Sequence, residues 1–472
     1  MRTLAIAAVM FVALAAAAQA PTPAATEDKP ITSFPYTPGI DVRSMDRAAD
    51  ACVDFYQYSC GGWMKNNPIP ADQARWSVYG KLYQDNQRFL WGILDQLSRQ
   101  KTGRNANQQK IGDYFGACMD ETAVNKLGAK PLQPYLDKIA SMRSLRDLPP
   151  VLGYLHTSME TGGLLFNFGS NQDFANSESM IAFANAGGLG LPDRDYYTKD
   201  DARSKDLRAK YVAHVQRMFE LLGDRPETAQ AEAATVMDIE TALAKSQLAR
   251  VERREPHNLF HKVDFKGLQE LTPDFDWAAY EKAVGLPQQN SFNVTQPAFY
   301  KEVEVQLKSR SLGDLKTYLR WHVLHAAAPF ISEPFVMENF NFFSKTLHGT
   351  PQLRPRWKRC VSLVDGQLGD ALGQEFVRRA FSPELKQKTV TMTKQIEQAM
   401  ADDINSLTWM GPETKQQALL KLHRIVNKIG YPDKWRDYSS VAINPDDFLG
   451  NVERATVFES HRQLNKIGKP VD

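Results

Sequence analysis

Apolar positions recur along this chain at the spacing of amphipathic helices. Over residues 206–222, Leu207, Tyr211, Val212, Val215, Met218, Phe219 and Leu222 form one stripe, and Gly223 follows where a helix-ending glycine belongs. A second helix is predicted over 228–249, with Val236, Ile239, Leu243 and Leu248 inward. Ser382-Pro383 gives a cap and a first turn for a third, whose Val390, Ile396, Met400, Ile404 and Leu407 read as core. A fourth opens at Gly411-Pro412 and is expected to run through Ala418, Leu422, Ile425 and Ile429 to Gly430, with Pro432 just beyond. Strand signals are few: 164–168 and 180–184 are short apolar runs separated by Gly-Ser-Asn-Gln-Asp, which predicts a hairpin. The pattern therefore predicts a mainly α fold, a large multi-helix body carrying a small β-hairpin.

The first residues change the picture by placing the chain in the cell. Residues 1–20, MRTLAIAAVMFVALAAAAQA, join one positive charge, an apolar run and an Ala-Gln-Ala ending, which predicts a signal peptide cleaved after Ala20. Residues 21–40, rich in Pro, Thr and Ala, read as a flexible leader, and no later segment approaches a membrane span. The expected location is periplasmic or extracellular, where disulfides form. Four cysteines (Cys52, Cys60, Cys118 and Cys360) allow three pairings, and none sits in a C-x-x-C spacing. The 472 residues are 43% hydrophobic and 24% charged with net charge +2, ample for a large core and offering no basic run to recruit nucleic acid.

Candidate chemistry is sparse. None of the nine histidines is followed by Glu, so H-E-x-x-H is absent. His257 and His261 stand four apart as zinc ligands on a helix would, but Asn258 occupies the general-base position and Pro256 marks a loop. His322 and His325 lie in an apolar helix and read as core. The pairs Asp193/Asp195, Asp402-Asp403 and Asp446-Asp447 read as solvated or capping carboxylates. Asn293-Val294-Thr295 matches a glycosylation acceptor, while a nucleophile elbow and a phosphate loop are both absent.

Several stretches are more specific than these short patterns. They are Cys52-Val53-Asp54-Phe55-Tyr56-Gln57-Tyr58-Ser59-Cys60-Gly61-Gly62-Trp63, Pro68-Ile69-Pro70 with Arg75-Trp76, 188–197 (GLGLPDRDYY), Trp357-Lys358-Arg359-Cys360, Leu407-Thr408-Trp409-Met410 and Lys428-Ile429-Gly430-Tyr431-Pro432. In this order they closely resemble the neprilysin and endothelin-converting-enzyme family of zinc metallopeptidases. The resemblance implies that residues 41–472 are the N-terminal helical domain of such an enzyme, which acts on oligopeptides. In that family zinc is held by H-E-x-x-H and a downstream Glu. The catalytic third carrying them is expected to be missing here, so this chain should bind no zinc and be inactive alone, unless a separate chain supplies that part. The competing reading is a secreted, non-catalytic helical module that binds peptides or partners.

The resemblance also implies residue roles. Cys118 and Cys360 should pair, while Cys52 and Cys60, whose family partners lie in the catalytic domain, should be free, paired with each other, or bridged between molecules. Arg75 matches an arginine that reaches toward the C-terminal side of the peptide substrate, where a planar guanidinium suits a carboxylate or carbonyl. A second such arginine, eight residues on in some members, is Tyr83 here.

Overall fold

The computed structural model describes residues 28–36, 39–159 and 163–471. The expected signal peptide, residues 1–20, lies outside the described residues, as do residues 21–27 and 37–38 of the leader. Helix dominates the rest, and its ends follow the local sequence. The helix Ala202–Leu222 starts where Asp201 accepts a hydrogen bond from Ser204 N–H. It stops at Gly223, whose φ of 113° lets its N–H fold back onto the carbonyls of Phe219 and Glu220. Pro226–Ser246 begins on a first-turn proline and ends three residues before the expected 249. Pro383–Ser406 is capped by the Ser382 side chain, which accepts from Leu385 N–H.

The last predicted helix is shorter than its apolar spacing suggests. Pro412–His423 ends at Arg424, and 425–429 are irregular. The adjacent β-branched Ile425 and Val426 lose rotamer freedom in a helix, and Gly430 turns with φ +77° against the Phe381 ring. The stripe on Pro383–Ser406 is a second correction. Ile396 is 60% exposed and Met400 50%, and only Ile404 in that helix is buried. These two helices pack on each other and form an arm whose apolar face is turned to solvent.

The hairpin is part of a larger sheet. Strands β1 (Phe166–Asp173) and β2 (Asn176–Ala186) pair antiparallel across a two-residue turn, with Phe166 opposite Ala186. The polar stretch expected to separate the strands is the outer half of β1. Two short strands, β3 (Lys262–Val263) and β4 (Phe292–Val294), complete the order β1-β2-β4-β3, with β4 parallel to β2. Strands of two and three residues carry too little alternation to be read from sequence. Beside β2, Met180 N–H donates to Lys469 O and Gly468 N–H to Met180 O, tying residues 468–469 to the sheet.

Two apolar cores result. The larger joins the sheet to the helices Leu148–Ser158, Ala202–Leu222, Pro226–Ser246, Pro297–Ser309 and Leu312–Ala327. The smaller joins Val78–Arg99, Ala106–Met119, Arg356–Ala380 and Phe448–Leu464. It holds the disulfide between Cys118 and Cys360, which spans a separation of 242 residues. The second core is thus assembled from both ends of the chain.

Candidate functional site

The 188–197 motif is explained by what it packs against. Glu240, fully buried, accepts from the hydroxyls of Tyr197 (2.6 Å) and Tyr211 (2.9 Å), and His322 Nε2 stands 3.1 Å away. Tyr197 Oη in turn accepts from Leu191 N–H. A Cβ at Gly190 would sit 2.0 Å from Tyr211 Oη, so only glycine lets this loop reach the buried carboxylate. Burial and the Glu240 charge push both tyrosine hydroxyls well above their ordinary pKa. Asp193 is not solvated: it is buried, pairs with Arg253 (2.8 Å) and caps Asp195 N–H (3.0 Å). Asp447 caps the helix Phe448–Leu464, as expected for a carboxylate at that position.

The other polar candidates are structural. Asn293 is fully buried; its side chain accepts from His261 N–H (2.8 Å) and donates to Leu259 O (2.9 Å), so the glycosylation pattern is inaccessible in the fold. His257 is exposed beside Glu255, in a short 3-10 turn rather than on an α-helix. Among the described residues, no group of three or more His, Cys, Asp or Glu side chains could hold a metal ion. His325 is buried, and desolvation first, then His214 and His322, hold its pKa down to about 3.

Arg75 stands in a different setting. Lys358 is buried and donates to Asp72 (2.8 Å), with Asp28 3.5 Å away, while Gln352 N–H donates to Ala71 O. A buried ammonium needs such a partner, and this pair clamps the 70–75 loop to the start of the Arg356–Ala380 helix. Lys358 belongs to the Trp357-Lys358-Arg359-Cys360 motif, but nothing in the sequence pairs it with Asp72, which looks like an ordinary surface charge. Beyond the clamp Arg75 is exposed, and among the described residues nothing bonds or pairs with it.

Ser77 then caps the helix Val78–Arg99, whose first turns hold Val78, Tyr79, Leu82 and Tyr83 exposed, Tyr79 at 83%. Tyr83, at the position of the second arginine of some family members, accepts from Gln87 through its hydroxyl. In the preceding helix Phe55–Asn66, Phe55 and Tyr56 are exposed as well. A Cβ on Gly62 would come within 2.5 Å of Arg43 O, which is why Gly stands there. Cys52 is exposed, Cys60 half-buried, and both are unbonded. Arg75 is thus an unpaired cation just ahead of a helix whose first turns expose aromatic and aliphatic side chains, a setting suited to a peptide's backbone and terminus.

This arrangement of helices is the fold of the larger part of a bacterial metalloprotease. The zinc metalloprotease Zmp1 of Mycobacterium tuberculosis, solved with an inhibitor, superposes with a TM-score of 0.85 at 33% identity, covering 93% of this chain and 66% of that one. PepO from Lactobacillus rhamnosis shares the fold (TM-score 0.78, 20% identity, 89% and 66% coverage). Residues 51–432 match peptidase family M13. Rat endothelin-converting enzyme 1 is 30% identical over 455 residues, which are 91% of this chain and 58% of that protein. The chain therefore belongs to peptidase family M13, the neprilysin and endothelin-converting-enzyme family of zinc metallopeptidases. It spans 58% of the length of that rat relative.

Proposed function

We propose that this chain forms the helical domain of an exported zinc metallopeptidase that cleaves oligopeptides, with Arg75 receiving the C-terminal side of the substrate. The observation that carries the reading is the unpaired, exposed Arg75 beside the bare apolar turns of Val78–Tyr83, in a chain of this family. A guanidinium held by a clamped loop offers two parallel N–H donors to a carboxylate. The residues present here do not fit a zinc site: the sequence has no His-Glu dipeptide, and its described His, Cys, Asp and Glu side chains form no ligand cluster. Zinc and its general base would come from residues other than these, in the same gene or on a separate chain.

The chain alone is accordingly inactive in this reading. The purified 472-residue product, given zinc and a fluorogenic peptide, should show no chelator-sensitive hydrolysis; robust hydrolysis defeats the proposal. Reading the nucleotide sequence past codon 472 in all frames for H-E-x-x-H identifies where the catalytic part is encoded. In an assembled enzyme, Arg75→Ala should raise KM for peptides with a free C-terminus by about tenfold, the value of one charge-assisted contact. It should leave peptide amides unaffected. No helix among the described residues is long and apolar enough to cross a membrane. Processing after Ala20 is checked by N-terminal sequencing of the exported product.

A further inference from the structure

The loop that ends at Arg75 also walls a cavity of about 360 Å³. Asp72 and Gln73 line it, Val336, Phe340 and Leu353 supply apolar lining, and Arg354 and Arg359 add two cations. Phe340 opens a π-helical stretch, Phe340–Thr346, a wide turn of the kind found often at functional sites. The charge in this cavity is unbalanced. Asp72, the acid that lines it, is engaged by Lys358. Among the described residues no carboxylate lies within ion-pair distance of Arg354 or Arg359, whereas the neighbouring Arg356 reaches Glu121 at 3.4 Å.

Each guanidinium carries five N–H donors, and few of them are used. Arg354 Nη2 donates to Ser362 Oγ (3.2 Å), and Arg359 Nε donates to Arg354 O (3.2 Å). Arg354 Nε is buried with no hydrogen-bond partner. Burial first, then the guanidinium charges of Arg356 and Arg354, hold Arg359 below its ordinary pKa, against the attraction of Glu121. Two partly buried like charges with spare donors are unfavourable alone and become favourable around an oxyanion.

We propose that this cavity binds the free carboxylate of a short peptide through Arg354 and Arg359, with the peptide's last side chain against Val336, Phe340 and Leu353. An inorganic oxyanion would satisfy the arginines and leave the apolar lining bare, so the peptide carboxylate is the better fit. The site is separate from Arg75, which does not line the cavity, and binding to it requires no catalysis; it stands whether or not the chain serves a peptidase.

The test is titration calorimetry of the 472-residue chain with Gly-Gly-Leu, the same tripeptide as its C-terminal amide, and sodium sulfate. The free acid should bind at least about tenfold tighter than the amide. Arg354→Gln and Arg359→Gln should each weaken it by a similar factor, and Arg359→Lys by less. Thr350→Trp, which obstructs the half-buried rim without removing a charge, should also abolish binding and provides a second variant if an arginine variant melts early, with its own melting curve checking that it folds. Sulfate that binds alone and is lost in the same variants keeps the oxyanion chemistry and assigns it an inorganic source. Equal binding of acid and amide, no binding of any probe, or binding unchanged in all cavity variants overturns the proposal.

Discussion

At the scale of residues, the fold depends on a few buried polar groups whose partners leave no slack. Gly190→Ala should destabilise the protein by about 3 kcal/mol, because the added methyl must displace Tyr211 from Glu240. Asn293→Ala should cost about 2 kcal/mol by stranding the His261 N–H and the Leu259 carbonyl. Urea midpoints check both, and a neutral result for either removes the residue from this network. His156 supplies a pH dependence. Its Nδ1 lies 2.8 Å from Tyr280 Oη and its Nε2 2.9 Å from Leu164 O, a neutral ring held at both nitrogens. Desolvation lowers its pKa from 6.5 to about 4, against the Leu164 carbonyl, which raises it. Between those values the unfolded chain takes up a proton that the folded chain refuses, so stability is full above pH 6.5 and declines toward pH 4. The share from His156 at pH 5 is about 2 kcal/mol. His156→Gln, which cannot ionise, should flatten the urea midpoint between pH 7 and pH 5 by that share.

At the scale of elements, what sequence reading reached and what it missed divide along one physical line. Ala202–Leu222 and Pro226–Ser246 were legible because their stripes face a core and the first ends on Gly223, while their openings at Asp201 and Pro226 lie ahead of the expected starts at 206 and 228. The stripe of Pro383–Ser406 looks the same in sequence but points outward, since periodicity records that a face is apolar and not what covers it. Ile396→Ser and Met400→Ser should therefore change stability by less than about 0.5 kcal/mol while reducing dye binding and aggregation. A larger loss of stability would mean that the arm folds back onto the body. Irregular backbone after His423 makes this the expected first opening: trypsin should cut first after the exposed Arg424, as mass spectrometry of early fragments would show. The Arg75 side of the molecule was legible only through its flanking motifs. The Asp72–Lys358 clamp joins residues 286 apart, and no local pattern encodes such a pairing.

At the scale of the whole molecule, two cores of different construction share the chain. The larger is built from residues 132–342 with two late contributors, Leu449 and Leu464, while the smaller needs both ends at once. Cross-linking 242 residues is worth about 5 kcal/mol in the chain-entropy model, and real bonds often give less. Cys118→Ala with Cys360→Ala should lower stability by up to that amount, read as an earlier loss of the smaller core than of the larger. A native chain should also show two thiols reactive toward Ellman's reagent, those of Cys52 and Cys60; none would indicate that these two are bonded to each other or to another molecule.

The order in which the cysteines appear gives that disulfide a hazard in time. At about 5–20 residues per second, the 242 residues between Cys118 and Cys360 take about 12 to 48 seconds to emerge. Throughout that interval, the thiols available to Cys118 within its own chain are Cys52 and Cys60. An early bridge to either would have to be exchanged before the smaller core could close, so yield in an oxidising compartment should depend on a disulfide isomerase.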